Sequence, residues 1–147
     1  MSELPPKLAE LVEDFAAVGV KERLQLLLEL SDELPPLPAR YDGHRDEMEQ
    51  VHECQSPLFL AVEVDTGVDA RGIVHLFFDA PPESPTTRGF ASIMYNGLDG
   101  ETADTVLAVP NDFYTALGLR EAVSPLRLRG MVAMLSRIKK QVRDSTS

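Results

Sequence analysis

The chain contains one cysteine, Cys54, set in the segment His52-Glu53-Cys54-Gln55-Ser56-Pro57. A lone cysteine is more often a small buried hydrophobe than a nucleophile. This one, however, stands at a polar junction before a β-rich run, where a loop on a rigid scaffold can present a functional side chain. Its neighbours do not activate it. No lysine or arginine lies within several residues, Glu53 opposes thiolate formation, and His52 assists only as a cation or as a base. Activation must therefore come from residues distant in the chain or from a partner.

Arg127 and Arg129 are the next residues of interest. Ser124-Pro125 is a helix-start signal, an N-cap serine followed by proline at the first helical position, so both arginines fall in a first turn where the helix dipole disfavours cations. Two readings stand. Each arginine meets a carboxylate of an acidic protein, or Arg127 lies near Cys54 in space and favours its thiolate. As metal ligands, His52, Glu53 and Cys54 make a poor set: an alternating strand would turn His52 and Cys54 to one side and Glu53 away, and His44 and His75 are remote. Asp46, Glu47 and Glu49 read as a solvated loop, and Glu83 sits among prolines. Nucleophile-elbow, phosphate-loop and H-E-x-x-H motifs are absent from the sequence. Independent catalytic turnover is not expected.

These residues belong to a chain of 147, with 14 basic and 24 acidic side chains, a net charge of −10 and 44% hydrophobic content. That composition describes one globular domain over 1–147, long enough to build a core without disulfides or a structural metal. One thiol excludes a disulfide, a zinc ribbon, a C-x-x-C redox pair and an all-protein four-thiolate cluster. The negative surface repels phosphate backbones and anionic headgroups, so neither nucleic acid nor a membrane is an expected partner. No apolar run approaches the ~20 residues of a membrane span, and Met1–Glu10 lacks a signal-peptide layout. The expected compartment is the cytoplasm, where a thiol stays reduced.

The elements that must position these side chains follow from periodicity. Leu8, Leu11, Val12 and Phe15 predict a helix over 7–18 stopped by Gly19, and the leucines of 20–33 predict a second helix packed on two sides. Leu34-Pro-Pro-Leu-Pro38 cannot continue it and reads as an extended connector. Leu58, Leu60, Val62 and Val64 alternate, and 73–78 is β-rich, so the two form an antiparallel hairpin across the turn 67–72; residues 48–52 add a short third strand. Helices are expected over 84–95, ended by Asn96-Gly97, then over 101–108 and over 110–117 stopped by Gly118, with a last one from Pro125 to about 142. The order of helices, small meander, then helices is α+β: a three-stranded antiparallel sheet against N-terminal and C-terminal helices.

Taken together, Leu34-Pro-Pro-Leu-Pro38, Val51-His-Glu-Cys-Gln-Ser56 before a strand, Arg88-Gly89 with its helix to Met94, Tyr95-Asn-Gly97, Leu117-Gly-Leu119, and Ser124-Pro-Leu-Arg127 with Gly130 and Met134 resemble the SufE family. These are the sulfur-acceptor partners of cysteine desulfurases in iron–sulfur cluster assembly. The resemblance implies a SufE/IscU-like fold, Cys54 as sulfur acceptor, and Arg127 as the arginine of a Ser-Pro-x-Arg motif, a stabiliser of thiolate or persulfide. Glu83 falls near a position where relatives often carry aspartate. Glu53 replaces a glycine usual before the cysteine, Phe59 keeps an apolar strand position, and 79–87 is richer in proline than its counterpart.

The same resemblance implies a desulfurase of the SufS type as donor and stimulated partner, with a cluster scaffold as recipient. Pyridoxal phosphate is expected in the donor alone; this chain is expected to need no cofactor or metal. The cysteine loop would lie against the sheet, sheltered until docking. Two alternatives from other classes are a cluster or metal scaffold, against which the single thiolate argues, and an interaction domain with an idle cysteine.

Overall fold

The computed structural model describes residues 4–54, 57–67 and 69–146, without the side chain of Arg45. Helix α1 is Pro6–Ala16, started by the rigid φ of its N-terminal proline, and it buries Leu8 and Phe15. Gly19 does not stop it; it is the extended N-cap of α2, Val20–Glu33. Leu27 and Leu30 of α2 are buried while Leu24 is 39% exposed, so α2 is covered on one face only. Leu34 then turns extended and leads into the proline connector, which lacks the donors to remain helical.

Three strands follow, β1 (Glu49–Gln50), β2 (Phe59–Asp65) and β3 (Ile73–Asp79), in the order β1-β2-β3 and antiparallel throughout. The register pairs Glu49 with Leu60 and runs from Phe59 opposite Asp79 to Asp65 opposite Ile73. On β3, Val74, Leu76 and Phe78 are buried and their neighbours half-exposed, the alternation the pleat requires. The outer edge of β3 is covered by chain: Val74 exchanges backbone hydrogen bonds with Glu101 (2.8 Å) and Gly100 (2.7 Å), and Asp99 Oδ1 accepts from the Leu76 amide at 2.8 Å. This first half of the edge is paired rather than left as a bare ladder.

Helix α3, Pro85–Leu98, runs through the middle of the core with Phe90, Ala91, Ile93, Met94 and Leu98 buried. Asn96-Gly97 does not end it. Asn96 folds back on Ser92, donating to its carbonyl at 2.9 Å and its hydroxyl at 3.0 Å, and Gly97 lets α1 approach: a Cβ there would sit 2.8 Å from Leu8 Cδ1. Gly89 does the same for α2, since a Cβ would stand 2.7 Å from the Leu27 carbonyl oxygen.

Helix α4, Ala103–Ala108, is capped by Thr102, whose side chain accepts from the Thr105 amide. The helix expected over 110–117 is not α-helical; its bonds run to the third residue back, as in Thr115 to Asp112 and Ala116 to Phe113. Length does not decide this, since the shorter α4 is α-helical. A tertiary contact fixes its start instead, because buried Lys139 donates from Nζ to the Val109 carbonyl and, at 2.8 Å, to Asn111 Oδ1. Helix α5, Pro125–Thr146, lies across the sheet with Leu128, Met131, Met134, Leu135, Ile138 and Val142 buried, and continues a turn beyond the expected end. No helix is long and apolar enough among the described residues to cross a membrane.

Candidate functional site

The β1–β2 hairpin leaves its ladder at Val51, whose amide donates to the Leu58 carbonyl at 2.8 Å, and the chain between them turns outward. His52–Cys54 forms a single 3-10 turn, closed by the Cys54 amide on the Val51 carbonyl at 3.2 Å. This corrects the expected strand over 48–52, which extends only over Glu49–Gln50. At three residues per turn, successive side chains point in three directions. His52 and Glu53 are exposed and Cys54 turns inward, so His52 and Cys54 are not same-side neighbours on a strand.

Cys54 is 8% exposed and rests on α5, with Sγ donating to the Gly130 carbonyl at 3.7 Å. Only glycine permits this approach without movement: a Cβ at position 130 would lie 3.0 Å from Sγ and 3.1 Å from Cys54 Cα. Burial pushes the thiol pKa up to about 11; Glu53 adds to the rise and Arg137 opposes it. In this geometry the thiol is neutral and sheltered.

Arg137 is the residue that sequence reasoning missed. Its guanidinium meets Glu53 at 2.9 Å and Glu49 at 3.2 Å, joining the cysteine turn and β1 to α5. Glu49 is therefore not a solvated loop carboxylate. Its other oxygen accepts from Gln141 Nε2 at 2.9 Å, while Gln141 Oε1 accepts from the Val62 amide at 3.0 Å. Glu53 titrates below the usual carboxylate range, first because its own backbone amide donates to it and then because of Arg137. The available signal was spacing: 130, 137 and 141 differ by 7 and 4, one stripe of a 3.6-residue helix.

Arg127 lies three residues before Gly130, one turn toward the helix N-terminus and about 4.5 Å along the axis at 1.5 Å per residue. It is exposed, and its amide donates to the capping Ser124 hydroxyl at 3.3 Å. Among the described residues neither Arg127 nor Arg129 forms an ion pair, and Arg127 makes no hydrogen bond to Sγ. Arg129 lines a groove of about 700 Å³ with Glu53, Tyr114, Arg120 and Leu128, open beside the cysteine turn. Glu83 is exposed in the turn before α3. His44, Asp46 and Glu47 place potential ligand atoms within 4.8 Å of one another on the surface; Cys54, His52 and Glu53 are not in that group. Gln55 and Ser56, part of the motif, lie outside the described residues.

A three-stranded antiparallel sheet under a long C-terminal helix, with the chain's one thiol sheltered on a glycine of that helix, defines a small α+β protein with one candidate thiol site. A family model described as SufE, Fe-S metabolism associated domain, matches residues 9–142, and the chain belongs to the SufE family. An uncharacterized SufE-like protein of Mycobacterium tuberculosis is 55% identical over 144 residues, covering 98% of this chain and 96% of that protein. A Plasmodium falciparum protein named Cysteine desulfuration protein SufE is 25% identical over 138 residues, 92% of this chain and 53% of its own length. The solution structure of a hypothetical protein from Thermus thermophilus superposes with a TM-score of 0.82 at 42% identity, covering 97% of this chain and 98% of that one.

Proposed function

We propose that this protein accepts sulfur from a cysteine desulfurase of the SufS type onto Cys54, stimulates that enzyme by unloading it, and delivers the sulfur to an iron–sulfur scaffold in the cytoplasm. The observation that carries this reading is the placement of the chain's one thiol, sheltered on the Gly130 backbone yet borne by an edge turn of a SufE-family fold.

The chemistry is thiol exchange. The Cys54 thiolate attacks the outer sulfur of the donor's cysteine persulfide; a bond forms from Sγ to that sulfur, and the donor's S–S bond breaks with its electron pair leaving on the donor thiolate. The proton given up by Cys54 is balanced by one the departing thiolate can take, and no net oxidation occurs. Pyridoxal phosphate serves the donor, which forms its persulfide from L-cysteine and releases alanine. The resting geometry keeps the thiol protonated and away from oxidants. Transfer therefore requires the turn to move off Gly130 toward the donor. Arg127, exposed one turn along α5, is a cation available to the anion once it moves.

The test is alanine release by a desulfurase given L-cysteine, with wild type, Cys54→Ser and Arg127→Ala. The serine variant loses the stimulation, and the alanine variant transfers less sulfur while still docking. Stimulation that survives unchanged in Cys54→Ser contradicts the mechanism.

A further inference from the structure

The Glu53–Arg137 ion pair links the turn that must move to the helix it must leave. Glu53 adjoins Cys54 in the 3-10 turn, and its Oε1 lies 2.9 Å from the Arg137 guanidinium. Arg137 is itself held by Glu49 at 3.2 Å through Nε, and its Nη1 donates to the Ala133 carbonyl at 3.5 Å, so it is a fixed post rather than a swinging side chain. Its side chain is 21% exposed and that of Glu53 45%. A pair so open to water is weak and breaks readily, unlike a buried pair that would lock the turn. Among the described residues Cys54 also meets the helix through a thiol hydrogen bond at 3.7 Å and the close approach of Gly130.

We infer that Glu53 and Arg137 form a latch that holds the Cys54 turn shut on α5, with Arg137 a positioning residue that acts on the thiol through Glu53. That the closed turn matters for sulfur transfer rests on the function proposed above; the latch itself is a property of the unpartnered chain. A glutamate beside the cysteine then has a physical role. Glu53 adds to the turn's closure an ion pair that a docking partner can displace.

Two readouts on the protein alone test this, without a desulfurase, so failure of the sulfur-carrier reading leaves them interpretable. The first is the rate of Cys54 alkylation by iodoacetamide at fixed mild alkaline pH. If the two charges acted only through their fields on the thiol, Glu53→Gln would react faster and Arg137→Gln slower, because the carboxylate raises the pKa and the guanidinium lowers it. A latch makes both variants faster, by about three- to fivefold, the scale of a partly exposed ion pair.

The second readout is hydrogen exchange at the Cys54 amide, which is bonded to Val51 and does not depend on thiol ionisation. It rises by a similar factor in Glu53→Gln and Arg137→Gln, while the α3 amides of Ile93 and Met94 keep their protection, as local rather than global opening requires. Raising salt accelerates the wild type toward the variants and leaves the variants unchanged. Should Arg137→Gln prevent folding, Arg137→Met keeps the stem and helix propensity and replaces it. Slower or unchanged alkylation in the Arg137 variant overturns the latch, as does unchanged Cys54 amide exchange in Glu53→Gln, or a rise shared equally by the α3 amides.

Discussion

Burial governs the chemistry of the thiol at rest. With Cys54 on Gly130, removal of solvent raises its pKa to about 11, and the Glu53 carboxylate pushes in the same direction. Alkylation of the wild-type protein should therefore rise with pH toward about 11, well above the ~8.5 of an ordinary thiol. The linked effect on stability has a definite sign. A raised folded-state pKa stabilises the protein below the ordinary thiol range, and that contribution is lost as pH climbs toward the folded value. The urea midpoint of wild type should thus fall relative to Cys54→Ser between about pH 8.5 and 11. A midpoint difference that stays flat across this window contradicts the buried neutral thiol. Cys54 was legible as the reactive candidate because it is the one thiol and stands in a polar junction. Arg137 was not, because it reads as an ordinary charged helix residue until the sheet edge brings Glu49 and Glu53 to it.

Among the elements, α5 sets the geometry of the site. One stripe carries Gly130 under the cysteine turn, Arg137 against Glu53 and Glu49, and Gln141 against β1 and β2. Lys139 points elsewhere, into the turn 109–111, where burial and then the Arg143 charge lower its pKa and the Val109 carbonyl accepts its hydrogen bond. Lys139→Met should leave that carbonyl unsatisfied and cost about 1–3 kcal/mol, read from urea denaturation. An unchanged midpoint would show that the ammonium does not anchor the turn. The start of α5 was readable from Ser124-Pro125, since capping is local. The 110–117 segment was misread for the opposite reason: its start is held by a side chain of α5 that adjoins it only after folding. Asn96-Gly97 misled in the same way, as the close approach of α1 makes glycine useful inside a helix.

For the whole molecule, the order of elements, the alternation of β2 and the β-rich run of β3 carried the α+β architecture, and the SufE resemblance agrees with the family match over 9–142. What no local pattern shows is how distant segments share one face, and the site is made of such sharing: a turn after β1, a glycine and an arginine of α5, and a carboxylate of β1. Against a net charge of −10, the exposed Arg120 and Arg129 line the groove beside that turn together with Glu53. The central claim is that a donor loads sulfur onto Cys54. Intact-mass and peptide mass spectrometry after mixing the protein with a cysteine desulfurase and L-cysteine measures this directly. The account predicts a gain of one sulfur atom on the peptide containing Cys54, reversed by reductant and missing in Cys54→Ser. A desulfurase that turns over and docks this protein while Cys54 never carries the added sulfur would contradict it.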